Sequence, residues 1–150
     1  MAGNTVILKP AEWSPLSASL LADLIEQAGF PPGVFNVVQG FGRDLGMALV
    51  SDPRVKRISF TGSVPTARII GKAAAENIVP FAAELGGKSP LLVFADADME
   101  SALQAAFWGI FWNKGEVCVA GSRILVERAI YDEFVERLSA MARDAVLGDP

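Results

Sequence analysis

Thr5-Val-Ile-Leu-Lys-Pro-Ala-Glu-Trp-Ser-Pro-Leu16 carries the change of period on which the fold turns. Thr5-Val-Ile-Leu8 is a short, β-branched apolar run and reads as a buried strand. Lys9-Pro10 interrupts it. Ser14-Pro15 then supplies an N-cap residue with proline at the first helical position. Leu16, Leu20, Leu21, Leu24 and Ile25 follow at helical period, and Gly29 ends that helix. Beyond it, Pro31-Pro-Gly33 is a turn and Val34-Phe-Asn-Val-Val38 the next strand. Gly40 and Gly42 lead into a short helix ending near Ser51-Asp-Pro53. Ile58-Ser-Phe60 is a third strand running into Thr61-Gly62-Ser63, and a helix covers about 65–75. Strand, helix, strand, helix, strand with short links predicts an α/β fold with a doubly wound parallel sheet.

After Ile78-Val-Pro-Phe81 the pattern restarts. Leu91-Leu-Val-Phe94 is a strand, and Asp96 to Asp98 can cap a helix over about 99–112. Ile124-Leu-Val126 is another strand, and a final amphipathic helix over about 131–145 sets Phe134, Val135, Leu138, Met141 and Ala142 on one side. A domain boundary is expected near Gly86-Gly87, dividing the chain into 1–86 and 87–150. The chain starts almost inside its first strand and stops at Gly148-Asp-Pro150, a turn that promises more sequence. It is therefore expected to be a fragment.

Composition narrows the function. Hydrophobic residues make up 51% of the 150, beside 14 glycines, which suits a buried α/β core or a piece cut from something larger. A net charge of −4 with no basic stripe argues against nucleic-acid binding. No run is long and apolar enough to span a membrane, so no membrane partner is expected and the location reads as cytoplasmic. One cysteine rules out an internal disulfide and fits a reducing compartment. With no histidine, a Cys–His or Ser–His pair and a Cys/His metal site are excluded within the chain.

That cysteine, Cys118, sits in Phe111-Trp-Asn-Lys-Gly-Glu-Val-Cys-Val-Ala-Gly-Ser-Arg123. A lone cysteine is most often a small buried hydrophobe. Gly115 and Gly121, each three residues away, favour another reading. They suit tight backbone near a ligand, and free N–H groups beside a thiol lower its pKa and hold an oxyanion. Upstream, Glu84-Leu-Gly-Gly-Lys-Ser-Pro90 sets a carboxylate before paired glycines. A thiol nucleophile and a separate carboxylate base divide the labour of acyl chemistry.

These two segments resemble the signature motifs of the aldehyde dehydrogenase superfamily. Gly3-Asn-Thr-Val-Ile-Leu-Lys-Pro-Ala-Glu12, Pro31-Pro-Gly-Val-Phe-Asn-Val-Val38 and Phe60-Thr-Gly-Ser63 extend the resemblance over essentially the whole chain. It implies a partial Rossmann-like cofactor domain followed by the start of a second α/β catalytic domain. It also implies a small aldehyde substrate, NAD as cofactor, and a full-length homodimer or homotetramer. By the same resemblance Cys118 attacks the aldehyde, a hydride passes to nicotinamide, and Glu84 activates the water that hydrolyses the thioester. Ser63-Val-Pro-Thr66 and Lys88 to Glu100 are similar to the group acting on betaine aldehyde and trimethylaminobutyraldehyde. The resemblance further implies that the isolated chain is inactive, since the side-chain amide of the oxyanion hole comes from an earlier segment in the family. A catalytically silent structural or interaction fragment is the competing reading.

The cofactor residues each have a plainer alternative. Lys9 and Glu12 stand just past the first strand, where parallel sheets bind ligands. In the family they hold the adenosine ribose, and the carboxylate there favours NAD over NADP. Without that context they are a surface ion pair. Gly40, Gly42, Gly62 and Ser63 let backbone and a hydroxyl approach a pyrophosphate, although no G-x-G-x-x-G spacing occurs and the first two suit ordinary turns. Val64-Pro65-Thr66-Ala67 departs from the common family pattern, which implies altered cofactor contacts. The resemblance places Gly86 in the cofactor set. Lys88 and Arg123 are expected to orient the loop or a partner carboxylate, Asn113 is given no role, and Trp108 and Trp112 fit either a substrate funnel or core.

Overall fold

The computed structural model describes residues 3–148, so Asp149 and Pro150 of the expected closing turn lie outside the described residues. The chain forms two compact units. One runs up to Ile58 and adds Ile70–Pro80; the other takes Ser59–Ile69 and everything from Phe81. Its α/β character is as expected, with the strands paired in twos among the described residues.

In the first unit β1 (Val6–Leu8) and β2 (Phe35–Val37) lie parallel, in register from Val6 opposite Phe35 to Leu8 opposite Val37. Val6 N–H donates to Val34 O at 2.8 Å and Val38 N–H to Leu8 O at 3.0 Å, extending the ladder at both ends. The crossover is α1 (Leu16–Gln27). The cap expected at Ser14 does not form: Pro15 occupies the cap position and no side chain caps the helix. Ser14 instead lies one residue outside the cap, its N–H closing a turn on Ala11 O at 3.2 Å. Gly29, at φ +80, closes the helix as predicted.

The face of α1 is a correction. Leu16, Leu20, Leu21 and Leu24 are exposed, and the half-buried positions are Ala18, Ser19, Ala22 and Ile25. Small residues at that spacing let the helix approach β2 closely, so the leucines point elsewhere. A π-helical turn over Gly42–Gly46 runs into α2 (Met47–Ser51).

β3 (Ile58–Gly62) is followed by α3 (Val64–Glu76) and pairs with β4 (Phe81–Leu85). β4 has no counterpart among the sequence expectations. Its Phe-Ala-Ala-Glu-Leu run is poor in β-branched residues, and pairing with β3 overrides propensity.

In the second unit β5 (Pro90–Val93) and β6 (Arg123–Val126) are parallel, from Pro90 opposite Arg123 to Val93 opposite Val126. α4 (Met99–Phe111) lies between them in sequence, and α5 (Tyr131–Arg143) follows. Asp98 caps α4 as expected, its Oδ1 accepting Ser101 N–H at 2.9 Å. Val93, Leu103, Ala106 and Phe134 form the core, with Leu91, Ile124, Val126, Leu138 and Met141 packed against it. Strand alternation explains the choice: Leu91 and Val93 face the helices, and Leu92 is exposed. Phe134, Leu138 and Met141 keep helical spacing, but Val135 is exposed and drops out of the predicted face.

α3 ends on a strained residue. Val79 N–H bonds Ala74 O at 3.0 Å and Ile78 N–H bonds Ala75 O at 3.1 Å, the paired bonds of a Schellman close. This puts Ile78 at φ +51, and its side chain is 91% exposed. The Cβ–carbonyl clash there costs about 1–2 kcal/mol, against roughly 0.5–1 kcal/mol of extra unfolded-state freedom for glycine. Ile78→Gly should therefore raise stability by up to about 1 kcal/mol, read as an upward shift of the urea midpoint at unchanged slope. A lower midpoint would show that the side chain contributes contacts outweighing its strain.

Candidate functional site

Two groups of the predicted residues are brought into contact, one in each unit. In the first, Lys9 follows β1 and Gly40 and Gly42 follow β2, so the parallel pairing brings their loops out at one end. Lys9 Nζ donates to Pro10 O at 2.8 Å, Glu12 Oε1 at 3.2 Å and Gly40 O at 3.1 Å. Gly42 N–H donates to the same Glu12 oxygen at 2.7 Å. An ammonium has three donors, and all three of Lys9's are used within the protein. Lys9 and Glu12 are therefore more than a surface pair: they tie the loop after β1 to the loop after β2. Hydrogen bonds from its own backbone N–H, then from Gly42 N–H and Lys9, hold the Glu12 carboxyl at about 2, below an ordinary 4.5. Gly40 adopts φ +152, outside the range of other residues.

The second group is built on β4 and the segment after α4. Glu84 is exposed near the end of β4 and enters no ion pair among the described residues. Past Leu85, the Gly86-Gly87 backbone meets the cysteine loop. A Cβ built on Gly87 would stand 2.5 Å from Cys118 O, closer than any side chain tolerates, so only glycine permits this approach. Cys118 itself is exposed, which removes the packing reading of a lone cysteine.

The loop leaves α4 through three left-handed residues: Asn113 at φ +50, Lys114 at φ +59 and Gly115 at φ +72. Nothing in the sequence reading anticipated the first two. Glu116 N–H bonds Asn113 O at 3.0 Å, and the Asn113 side-chain amide donates to Glu116 O at 3.2 Å. That amide is committed locally. Downstream, Gly121 N–H bonds Gly109 O at 2.9 Å, fastening the loop to α4. Arg123 Nε–H donates to Lys88 O at 2.9 Å, and Lys88 Nζ to Gly87 O at 3.1 Å. Both cations thus orient backbone, as expected, through carbonyls rather than carboxylates.

The remaining residues fall outside these two groups. Ser63 precedes α3, where its Oγ lies 2.9 Å from Thr66 Oγ1 and accepts Thr66 N–H at 3.4 Å. The Phe60 ring covers Gly62, with its Cζ 2.5 Å from a Cβ built there. Trp108 and Trp112 are 59% and 63% exposed, so neither joins the core of the described residues. Trp108 Nε1–H bonds Gln104 Oε1 one turn earlier at 3.1 Å. The exposed thiol and carboxylate suit nucleophilic acyl chemistry, and the Lys9–Glu12 group ties two loops at the end of a parallel strand pair, where such sheets bind ligands.

Comparison with known proteins places the chain in one family. The profile of the aldehyde dehydrogenase family matches residues 1–150. Cytosolic aldehyde dehydrogenase 1 of Rattus norvegicus is 52% identical over 149 residues, covering 99% of this chain and 30% of that protein. Retinaldehyde dehydrogenase 3 of Mus musculus is 48% identical over 149 residues, with 99% and 29% covered. Among solved structures, HpcC from Thermus thermophilus is similar at a TM-score of 0.95 and 51% identity, covering 99% of this chain and 29% of that one. The NAD+ complex of an aldehyde dehydrogenase from Bacillus cereus gives 0.94 at 46% identity, covering 96% and 29%. The chain thus spans about 30% of the length of these relatives.

The Glu12 tie has a pH signature. A carboxyl whose folded pKa lies below its unfolded value stabilises fully above the unfolded value and loses that contribution as pH falls toward the folded one. For Glu12 the window runs from 4.5 down to about 2. Glu12→Gln should therefore be less stable than the parent at pH 6, and the gap in urea midpoints should close as pH falls through that window. A gap independent of pH would mean that the Glu12 charge does not hold the loop.

Proposed function

Because the chain belongs to the aldehyde dehydrogenase family, we propose that the protein carrying it oxidises an aldehyde to a carboxylic acid with NAD, with Cys118 as nucleophile and Glu84 as base. The observation that carries this reading is the close contact between Gly87, three residues after Glu84, and the backbone of Cys118. It seats the nucleophile's loop on the segment that bears the base. The Cys118 thiolate adds to the aldehyde carbon, and the carbonyl π pair moves to oxygen, where the Cys118 N–H donates to it. NAD, when bound, accepts the hydride that this thiohemiacetal must lose to become a thioester. Glu84 then takes a proton from water as its oxygen attacks the thioester. The C–S bond breaks, and Cys118 returns as thiolate with the acid released.

Lys9, Glu12, Gly40, Gly42, Gly62, Ser63 and Gly86 are assigned to NAD. Two observations support the assignment: in the first unit a carboxylate and glycine backbone stand together past a parallel strand pair, and in the second Ser63 brings a hydroxyl to a helix start. Support comes also from the Bacillus cereus relative, whose structure is an NAD+ complex. We place the boundary between the cofactor part, 1–86, and the catalytic part, 87–150, at the Gly86-Gly87 turn. The substrate is taken as an aldehyde without narrowing to the betaine aldehyde group, and Trp108 and Trp112 are assigned to the wall of its access channel. No described helix is long and apolar enough to cross a membrane. The rat relative is named cytosolic, and a cytosolic homodimer or homotetramer is the corresponding proposal, to be read by light scattering on the full-length protein.

In a full-length polypeptide carrying this chain, Cys118→Ala should abolish aldehyde oxidation and leave NAD affinity nearly unchanged. Glu84→Gln should keep a single burst of NADH while steady turnover falls by roughly 10²–10⁴-fold, the usual cost of losing a general base. Loss of the burst would move Glu84 into thiol activation. Turnover surviving in the cysteine variant would end the nucleophile assignment.

Cofactor preference follows from charge. The Glu12 carboxylate repels a 2′-phosphate, so the parent should bind NAD more tightly than NADP, and Glu12→Ser should narrow the ratio in calorimetric titrations. A parent that prefers NADP would contradict the ribose assignment.

A further inference from the structure

We infer that Gly87 and Arg123 are positioning residues that fix where Cys118 sits relative to Glu84, an inference resting on the roles proposed above for those two side chains. The cysteine loop is held on both flanks. On the upstream side Gly115 packs so closely that a Cβ there would lie 2.8 Å from Ile110 O. On the downstream side Ala120 is buried, and Gly121 N–H is bonded to Gly109 O at 2.9 Å. Both of these anchors fix the loop to its own helix. Neither says where the thiol stands relative to the segment carrying the base.

Two contacts supply that reference. The first is steric: the Cα of Gly87 meets the Cys118 carbonyl, and a Cβ would be 2.5 Å from that oxygen. The obstructing atom is backbone rather than the end of a flexible side chain. It must therefore move by roughly an ångström to reach ordinary van der Waals separation. Moving the Cys118 carbonyl turns the backbone of Cys118 and carries its Cβ and Sγ along. The second contact is polar. Arg123 Nε–H donates to Lys88 O at 2.9 Å, and Arg123 N–H lies 3.4 Å from Ser89 O. Arg123 thus joins the chain leaving the cysteine loop to the chain leaving the Gly86-Gly87 turn, where β5 and β6 begin to pair. The glycine sets how near the two segments approach, and the arginine sets their register. A misplacement of about 1 Å at reacting groups can cost on the order of 10²-fold in rate.

The test uses a full-length polypeptide carrying this chain, with NADH burst rate, steady kcat, KM for the aldehyde, NAD affinity and melting temperature read together. Gly87→Ala should lower burst rate and kcat by on the order of 10²-fold, with KM and NAD affinity within about twofold of the parent. Arg123→Lys keeps the charge but loses the Nε–H, and should lower the burst rate by about tenfold with the same split. If Gly87→Ala does not fold, Arg123→Lys decides alone. A parental burst rate in Gly87→Ala, or in Arg123→Lys when it stands alone, overturns the inference. So does a loss that appears only in KM or NAD affinity. Cys118→Ala, run alongside, separates the two levels: if it still turns over, the nucleophile assignment fails whatever the positioning variants do.

Discussion

Phe134 is 1% exposed at the centre of the second unit, and the placement of the cysteine loop depends on its burial. Together with Leu103 and Ala106 of α4 and Val93 of β5, it presses both helices onto one face of the β5–β6 pair. Full burial of such a side chain contributes about 1.5–3 kcal/mol. The direction matters as much as the size. With α4 clamped to the strands at one end and β6 paired to β5 at the other, the residues from Trp112 to Ser122 have two fixed ends. A thiol on a tethered span of that kind has both ends of its loop held by the core and the strand pair.

The polar contacts of the first unit do a comparable job without a large core. None of the residues of α1 is buried, so the loops after β1 and β2 are tied by Glu12, whose one oxygen receives both an ammonium and a backbone N–H. A side chain that holds backbone this way can also be presented to a ligand, because the same loops line the exit of the parallel pair. In the second unit Ser63 likewise uses its side chain on backbone, its Oγ accepting Thr66 N–H at the start of α3.

Most of the architecture was legible because the signals were strongly periodic. The β1 run and the Phe134–Leu138–Met141 stripe follow from spacing, and the Gly29 stop and the Asp98 cap from residue type at a helix end. The failures share a cause. β4 is an alanine-rich run that becomes a strand only by pairing with β3, and a pattern confined to the run itself does not contain that partner. The leucines of α1 dominate its periodicity, yet its half-buried positions are Ala18, Ser19, Ala22 and Ile25, since close approach to a strand rewards small side chains over large apolar ones. Candidate site residues were found as types: a thiol, a carboxylate, paired glycines. What joins them is a backbone-to-backbone distance between Gly87 and Cys118, and no composition or motif encodes a distance.

The left-handed run at Asn113, Lys114 and Gly115 has a stereochemical consequence. For most of the chain the natural enantiomer is the comfortable one, and a mirror-image residue would disrupt the backbone. At Asn113 and Lys114 the preference is inverted. A D-lysine at 114, placed by chemical synthesis, would occupy its own favoured basin, whereas the L-residue is held there by its neighbours. The turn that delivers the chain to Cys118 is thus a short island of opposite handedness.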